Sequence, residues 1–308
     1  MNYGNIAVVG NGISAGLLTY LLSHKNKITL FQDKDYIYSS IPEIIPRKYF
    51  FETLGLNNND QLKIIDSTKS HITDFMISQN NSCNLHSMIT NDSFYVFDKE
   101  KLSSFLISSS TLKDIKYEKI TDINLLKKFD LIFDCRGKKA ILNDSNYNTR
   151  IILPAKTKCS YIILKSDKNF LNTRMSFWKN HLKNKQTFFV IPTGINKFSI
   201  GCSYNPNQYL NNDNLIEIAS QYGFEISNNQ IISSGEALPS ILKSSTTIKN
   251  VIPVGEAYES SCPLTEYGVL KSLNQIFKIV GNPFIQLPIK RPVNNTEIDP
   301  HIPMELFS

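Results

Sequence analysis

The hydrophobic pattern changes period twice within the first 32 residues. Asn5-Ile6-Ala7-Val8-Val9 is a short apolar run, the turn Gly10-Asn11-Gly12-Ile13-Ser14-Ala15-Gly16 follows, and Leu17, Leu18, Leu21 and Leu22 then recur at helical spacing. Lys27-Ile28-Thr29-Leu30-Phe31 reads as the next strand. Strand, glycine turn, helix and strand within about 30 residues form a βαβ unit, which requires a parallel sheet. Further along, 44–55 reads as a short helix or an extended strap. Asp98 to Ser108 reads as a helix with Asp98 at its N-cap and Leu102, Phe105 and Leu106 on one face. Phe129 to Asp134 reads as a buried strand entering a turn at Gly137.

From residue 150 to about 204 the pattern turns strand-like. Ser160 to Leu164, Thr187 to Pro192 and Lys197 to Cys202 read as strands, and the last two flank Thr193-Gly194-Ile195-Asn196, a hairpin signature. Leu215 to Gly223 reads as a helix, Lys249 to Gly255 as a late strand and Val269 to Val280 as a helix. The tail from Pro283 holds five of the 13 prolines and no periodicity. The fold class expected is α/β: a Rossmann-like domain with an interleaved β-sheet domain. The expected boundaries are 1–40, 90–155 and 245–282 for the first, 41–89 and 156–244 for the second, and 283–308 for the tail.

Composition narrows the class. The 308 residues are 41% hydrophobic and 19% charged, which supports a sizeable core and excludes a disordered or collagen-like chain. The net charge of +6 comes from 33 basic and 27 acidic residues, too diffuse for a nucleic-acid surface. Five scattered cysteines (83, 135, 159, 202 and 262) contain no CxxC pair, which argues against a disulfide framework or a zinc site. The histidines lack HxxxH spacing, so no metal is expected. The expected compartment is cytoplasmic, with no integral membrane segment, because the apolar stretch from Ile6 to Leu22 is short and interrupted.

The glycine turn carries the first chemistry. In a strand–turn–helix setting the first glycine makes the tight turn and the second lets backbone approach a pyrophosphate. The third small residue, here Ala15, lets helix and strand pack closely, and the helix N-terminus favours the phosphate charge. An acidic residue is expected at the end of the second strand to bind a ribose, and the sequence places Gln32 and then Asp33 there. Only one such fingerprint is present, which points to a single bound dinucleotide.

Four blocks in order resemble the FAD-dependent monooxygenase superfamily, which contains hydroxylases, lycopene cyclases and flavin-dependent halogenases. They are the glycine turn, Tyr95-Val96-Phe97-Asp98-Lys99-Glu100-Lys101-Leu102, Asp134-Cys135-Arg136-Gly137, and Val254-Gly255-Glu256-Ala257 with Cys262-Pro263-Leu264-Thr265-Glu266-Tyr267-Gly268. Glu256 stands where that superfamily has Asp or Asn. Glu43-Ile44-Ile45-Pro46 resembles the halogenase strap beside the flavin, and Phe50 to Leu56 resembles the F-x-x-L-G-I segment that follows it. Ser67-Thr68-Lys69-Ser70-His71-Ile72 resembles the stretch carrying the halogenase lysine. The halogenase W-x-W-x-I-P signature is Thr187-Phe188-Phe189-Val190-Ile191-Pro192 here, without tryptophan, and the position just after P-L is Thr265, with Glu266 one residue later.

The resemblance implies FAD as cofactor, held by Gly10, Gly12, Ile13, Ser14, Ala15, Gln32, Asp33, Ile45, Lys99, Gly255, Glu256, Pro263, Tyr267, Gly268 and Val269. Lys69 and Glu266 are the catalytic candidates it implies. The implied activity is that of an FAD-dependent oxidoreductase, a monooxygenase of the halogenase-like branch working through a flavin hydroperoxide on an organic molecule that is free or bound to a carrier or peptide. Electrons would come from a separate flavin reductase or from NAD(P)H. Two alternatives stay open: a non-redox cyclase or isomerase using reduced FAD, as in lycopene cyclases, and a degenerate flavin fold serving maturation or binding. His71 and His86 are further acid–base candidates, and Trp178 and Phe177 are candidates for an apolar pocket or for the core. Because the FAD fold and its inserted sheet use nearly all 308 residues, the expectation is a trimmed member with an open site or a covering partner.

Overall fold

The computed structural model describes residues 4–38, 43–46, 61, 64, 68–79, 82–87, 93–153, 158–166, 172–180, 186–205, 207–237, 241–259 and 267–280. The chain begins with β1 (Asn5–Val9), α1 (Ile13–Leu22) and β2 (Lys27–Gln32), followed by β3 (Glu43–Pro46), β4 (Thr68–Ile72), β5 (Asp74–Gln79), β6 (Ser82–Ser87) and β7 (Phe94–Phe97). Then come α2 (Lys99–Ser108), β8 (Asp114–Tyr117), β9 (Leu131–Asp134), α3 (Lys138–Leu142) and β10 (Tyr147–Leu153). The described part closes with β11 (Lys158–Lys165), β12 (Arg174–Asn180), β13 (Gln186–Gly194), β14 (Lys197–Tyr204), α4 (Asn212–Gln221), β15 (Ile231–Ala237), β16 (Ile241–Thr246), β17 (Val251–Pro253) and α5 (Tyr267–Val280).

A five-stranded sheet in the order β17-β9-β1-β2-β8 is parallel throughout. The fully buried Ile6 and Val8 face a core shared with α1, α2 and α5, while Ala7 and Val9 face a second core with Ile120, Ile123, Ile141 and Tyr147. A strand buried on both faces needs the near-continuous apolar run seen in the sequence. Connections from β1 run to β2 on one side and, by the long way round, to β9 on the other. The order therefore reverses between β1 and β9, and in open α/β sheets ligands bind beyond the carboxyl ends at such a switch point.

Helix boundaries follow local chemistry. Asp98 caps α2 through Oδ1, which accepts from the amides of Glu100 and Lys101, each at 3.1 Å. Asn211 and Asn214 form a reciprocal capping box on α4. No side chain caps α1, whose N-cap is Gly12.

The second sheet is seven-stranded, in the order β15-β11-β14-β13-β12-β5-β6. It contains the expected hairpin, with Gly194 opposite Lys197 and Asn196 at φ 53° closing the turn. One face packs Tyr161, Met175, Phe177, Phe189 and Ile191 onto Ile44, Ile72, Phe94 and Val96 of the small sheet β3-β7-β4. The other face packs Ile162, Phe188 and Ile200 beneath α4. Trp178 lies on this second face, within 5.5 Å of the Phe188, Tyr222 and Phe224 ring centres, so it belongs to the core under α4, whereas Phe177 faces the small sheet. The strap residues 43–46 form β3, paired antiparallel with β7; residues 47–55 lie outside the described residues.

Candidate functional site

A cleft of about 830 Å³ opens at the carboxyl edge of the parallel sheet, at its switch point. Its floor is the glycine turn. Gly10 sits at φ +137°, a backbone conformation open to glycine, and its amide donates to the carbonyl of Phe31 at 2.9 Å. A side chain at Gly10 would put Cβ 2.5 Å from the carbonyl oxygen of Cys135, so turn and β9 meet backbone to backbone. Gly12 is the opposite case: a Cβ there would meet nothing within 4 Å, because its outer face is the cleft. The first turn of α1, left without a side-chain cap, points its amides and its dipole into the same space.

Asn11, between the two glycines, ties the floor to the end of β2. Its Nδ2 donates to the carbonyl of Asp33 at 2.9 Å and its Oδ1 accepts from the Asp33 amide at 3.0 Å. Its own carbonyl accepts from the Tyr38 hydroxyl at 2.8 Å and from Ser103 Oγ at 2.7 Å. Asp33 in turn is fastened by Lys119, whose Nζ stands 3.0 Å from Oδ2, and by the Asp35 amide at 3.0 Å from Oδ1. The hydrogen bond from Lys119, then that from Asp35, holds the Asp33 carboxyl below the usual carboxylate range. Tyr36, Ile37 and Tyr38 form the adjoining rim, with the two tyrosine rings edge-on at 4.9 Å.

The opposite wall is built on a buried ionic network. Arg136 donates Nε and Nη2 to both oxygens of the fully buried Asp134, Nη2 to Asp144 Oδ2 at 2.6 Å, and Nη1 to the Ile120 carbonyl at 2.9 Å. Tyr147 adds its hydroxyl to Asp134 at 2.7 Å. Burial works against the charge on Arg136, and the two carboxylates overcome it and raise its pKa. Burial likewise opposes ionisation of Asp144, and the bonds from Arg136 and from the amides of Asn146 and Ile123 outweigh it, leaving that carboxyl lowered. Burial and then the Tyr147 neighbour Asp134 push the tyrosine hydroxyl upward. All three side-chain nitrogens of Arg136 are thus engaged within the protein. Its contribution is to hold the 134–137 turn and the 118–121 segment together, and both line the cleft.

The third wall joins the two ends of the described chain. Gly255, at φ +65°, packs so closely that a Cβ would collide with Ser14 Oγ, and its amide donates to Gln275 Oε1 at 3.0 Å. Ser14 Oγ donates to Ser272 Oγ at 3.1 Å. Val254, Glu256, Val269 and Ser272 line the cleft here, and Glu256 Oε2 stands 4.0 Å from where a Cβ on Gly137 would lie.

Of the residues the sequence singled out, the cleft brings together Gly10, Gly12, Ile13, Ser14, Asp33, Lys99, Glu256 and Val269. Gly255 is in contact with Ser14 just behind the wall, and Ala15 and Ile45 are fully buried in the core beneath. Gln32 ends β2 opposite Tyr117, so the carboxylate facing the cleft comes from the following residue. Tyr267 and Gly268 open α5, while Pro263 and Glu266 lie outside the described residues. Lys69 falls in β4 at a register shift between Thr68 and Ser70, opposite the strand that leads into Asp98 and Lys99. His71 Nε2 lies 2.7 Å from Ser93 Oγ. His86 is in β6, in the second sheet.

Sequence reasoning passed over Asn11, Lys119, Ser103, Ser272 and Gln275. Asn11 had a visible signal, an amide side chain between the two glycines. The others reach the site only through chain crossings that no local pattern encodes. Among the described residues no cluster of three His, Cys, Asp or Glu side chains could hold a metal, and no helix is long and apolar enough to cross a membrane.

The fold, with its sheet order, glycine turn and switch-point cleft, is similar to those of solved flavin-dependent halogenases and of an oxygenase. The chain matches a flavin-dependent halogenase from Xanthomonas campestris at 12% identity and TM-score 0.65, over 90% of this chain and 70% of that one. It matches the tetrameric form of 2-methyl-3-hydroxypyridine-5-carboxylic acid oxygenase at 12% identity and TM-score 0.69, over 90% and 81% of the two chains. It matches CtdE, solved in complex with FAD and a substrate, at 12% identity and TM-score 0.63, over 88% and 78%. No protein-family model matches the chain, and no curated protein sequence matches it. At such identities the likeness is one of fold.

Proposed function

We propose that the chain is an FAD-dependent oxidoreductase, a monooxygenase of the halogenase-like branch, acting on an organic substrate that is free or bound to a carrier or peptide. The observation that carries this reading is the cleft: an open Gly12, an uncapped helix N-terminus and a carboxylate at the end of β2 converge at the switch point of a parallel sheet. Those features fit the adenosine diphosphate part of FAD. The α1 amides take the pyrophosphate, Asp33 accepts from ribose hydroxyls, and Lys99 adds a positive charge at the same rim. Glu256 and the start of α5 lie along the remaining length. When bound, FAD supplies the electron transfer and oxygen chemistry, and the protein binds, orients and excludes water. A separate flavin reductase or NAD(P)H is the proposed electron source.

Lys69 and Glu266 are proposed as the catalytic side chains. For Lys69 the support is the place of its backbone in β4, opposite the strand that leads into Asp98 and Lys99. The test begins with the visible absorption of the purified protein and titration with FAD. A bound-flavin spectrum, oxygen uptake by the photoreduced protein and oxidised or halogenated product from candidate substrates are the expected results. A protein that cannot be loaded with FAD overturns the reading. Lys69→Ala is expected to retain the flavin spectrum and lose at least about 100-fold in product formation, the scale at which a positioned acid or base contributes.

A further inference from the structure

Asn11 makes four hydrogen bonds, two through its side-chain amide and two through its backbone carbonyl. The parallel ladder between β1 and β2 ends at Val9 opposite Phe31, with the Gly10 amide reaching the Phe31 carbonyl at 2.9 Å. Beyond that point the Asn11 side chain takes the place of a strand: its amide nitrogen reaches the Asp33 carbonyl at 2.9 Å and its amide oxygen the Asp33 N–H at 3.0 Å. The backbone carbonyl of Asn11 is held from the other side by Tyr38 at 2.8 Å and Ser103 at 2.7 Å. One residue thus fixes both the glycine turn and the backbone that carries the Asp33 carboxylate. The amide nitrogen and oxygen each bond the Asp33 backbone, and through those bonds the side chain positions the groups that it holds.

We propose that Asn11 is a positioning residue that sets the separation between the phosphate-binding turn and the ribose-binding carboxylate, and so governs recognition of the adenosine diphosphate part of an FAD-type dinucleotide. This rests on the reading of the cleft as an FAD site. A side-chain amide is the smallest group that both donates and accepts in this geometry. A carboxyl of the same shape does both only when protonated.

The probes are ADP and FAD, with affinities measured by calorimetry for the wild type, Asn11→Ala and Asn11→Asp. Asn11→Ala is expected to weaken ADP and FAD about tenfold and to lower the thermal midpoint by a few degrees, because the two hydrogen bonds to Asp33 are lost in the ligand-free protein as well. Asn11→Asp is expected to be weak at pH 8 and to recover toward the wild type only as pH falls to about 4, the ordinary aspartate value, where the introduced carboxyl protonates and regains its donor. The ionisable groups facing this end are Asp33, Asp35, Tyr36, Tyr38, Glu118 and Lys119, with Asp98, Lys99 and Glu100 at the start of α2 and Glu256 across the cleft, all common to the three proteins, so the ratio to wild type isolates the new carboxyl. A role confined to folding stability would leave the affinities of the folded variants equal to the wild type at every pH.

Amide hydrogen exchange of the ligand-free proteins supplies a second readout: the Asp33 N–H is expected to exchange at least about tenfold faster in Asn11→Ala once its acceptor is gone. Wild-type affinity in Asn11→Ala, a pH-independent ratio for Asn11→Asp, or unchanged Asp33 protection overturns the inference. Failure of the wild type itself to bind either probe overturns the FAD reading instead, and the exchange comparison still decides whether Asn11 holds Asp33. Should Asn11→Ala not fold, Asn11→Asp carries both measurements.

Discussion

Gly10 and Gly12 look equivalent in the motif, and their surroundings separate them. Gly10 combines φ +137° with a backbone carbonyl 2.5 Å from any Cβ, so Gly10→Ala has to move β9 as well as strain the turn. A loss of about 2–4 kcal/mol in urea unfolding is expected, from a strained backbone plus a clash with backbone. Gly12 has an ordinary extended φ of −77° and empty space outside it. Gly12→Ser supplies α1 with a preferred N-cap, so stability is expected to hold or rise by a few tenths of a kcal/mol, roughly the gain of Ser over Gly there. The same hydroxyl occupies the cleft floor and takes the amides a phosphate would use, so FAD affinity is expected to fall by at least about 100-fold, a loss of about 2.7 kcal/mol. Equal destabilisation by both substitutions in denaturation, or wild-type FAD binding by Gly12→Ser, would show that the floor is not shaped as described. Asp33 adds a pH prediction. Its carboxyl is lowered in the folded protein, first by Lys119 and then by the Asp35 amide. Its ionised form therefore contributes above the unfolded carboxylate range, and that contribution disappears as pH falls through the lowered folded value. In Lys119→Met the value rises, and the acid limb of an FAD-affinity profile is expected to move to higher pH. An unshifted limb would remove Lys119 from the site.

Among the elements, those whose signals are local were legible in the sequence. Asp98 before an apolar 3-4 pattern announced α2, the glycine turn announced β1–α1–β2, and the Thr193–Asn196 turn announced the β13–β14 hairpin. The strands that escaped notice depend on remote partners. β5 pairs in parallel with β12 about 100 residues later, and β10 pairs with β16 across a similar distance. β4 and β15 alternate weakly because polar residues such as Ser70 and Ser233 share them with apolar ones. The candidate site divides in the same way. Its floor was readable, whereas the wall made by Arg136, Ile120 and Asp144 was not, because an Asp-x-Arg-Gly turn does not reveal which carbonyl the guanidinium will find. That wall has a sharp energetic signature. Arg136→Met removes the only guanidinium bonded to Asp134 and Asp144 among the described residues and leaves two buried carboxylates unneutralised. About 3–5 kcal/mol is the usual cost of breaking such a buried pair. Tyr147→Phe removes one hydrogen bond to Asp134 and is expected to cost about 1 kcal/mol. Thermal unfolding of the two variants is expected to rank them in that order, and a reversed order would mean that the network carries little of the wall.

Among the described residues, the whole molecule gathers the cleft from seven separate stretches: the glycine turn, residues 31–38, Lys99, 118–121, 135–143, 254–256 and 269–272. None of these stretches can bind a dinucleotide alone. Each is held by an element whose main packing lies elsewhere, in the core against α1, α2 and α5 or in the core on the other face of the parallel sheet. Two of the seams between them are small polar contacts, Asn11 to Asp33 and Ser14 to Ser272 beside Gly255. Such seams are worth far less than the cores they join, so they should be the first parts to open in the ligand-free protein. A ligand spanning the cleft would contact both sides of every seam and would stabilise the folded state by about 2.7 kcal/mol at a free concentration 100 times its dissociation constant. Hydrogen exchange with and without FAD tests this reading of the architecture. Added FAD is expected to slow exchange at the glycine turn, at Asp33, across 118–121 and at Gly255 together, while β11, β13 and β14 beneath α4 exchange as before. Protection confined to the glycine turn would mean that only the pyrophosphate is held. Protection spread over the seven-stranded sheet would place the ligand elsewhere in the fold.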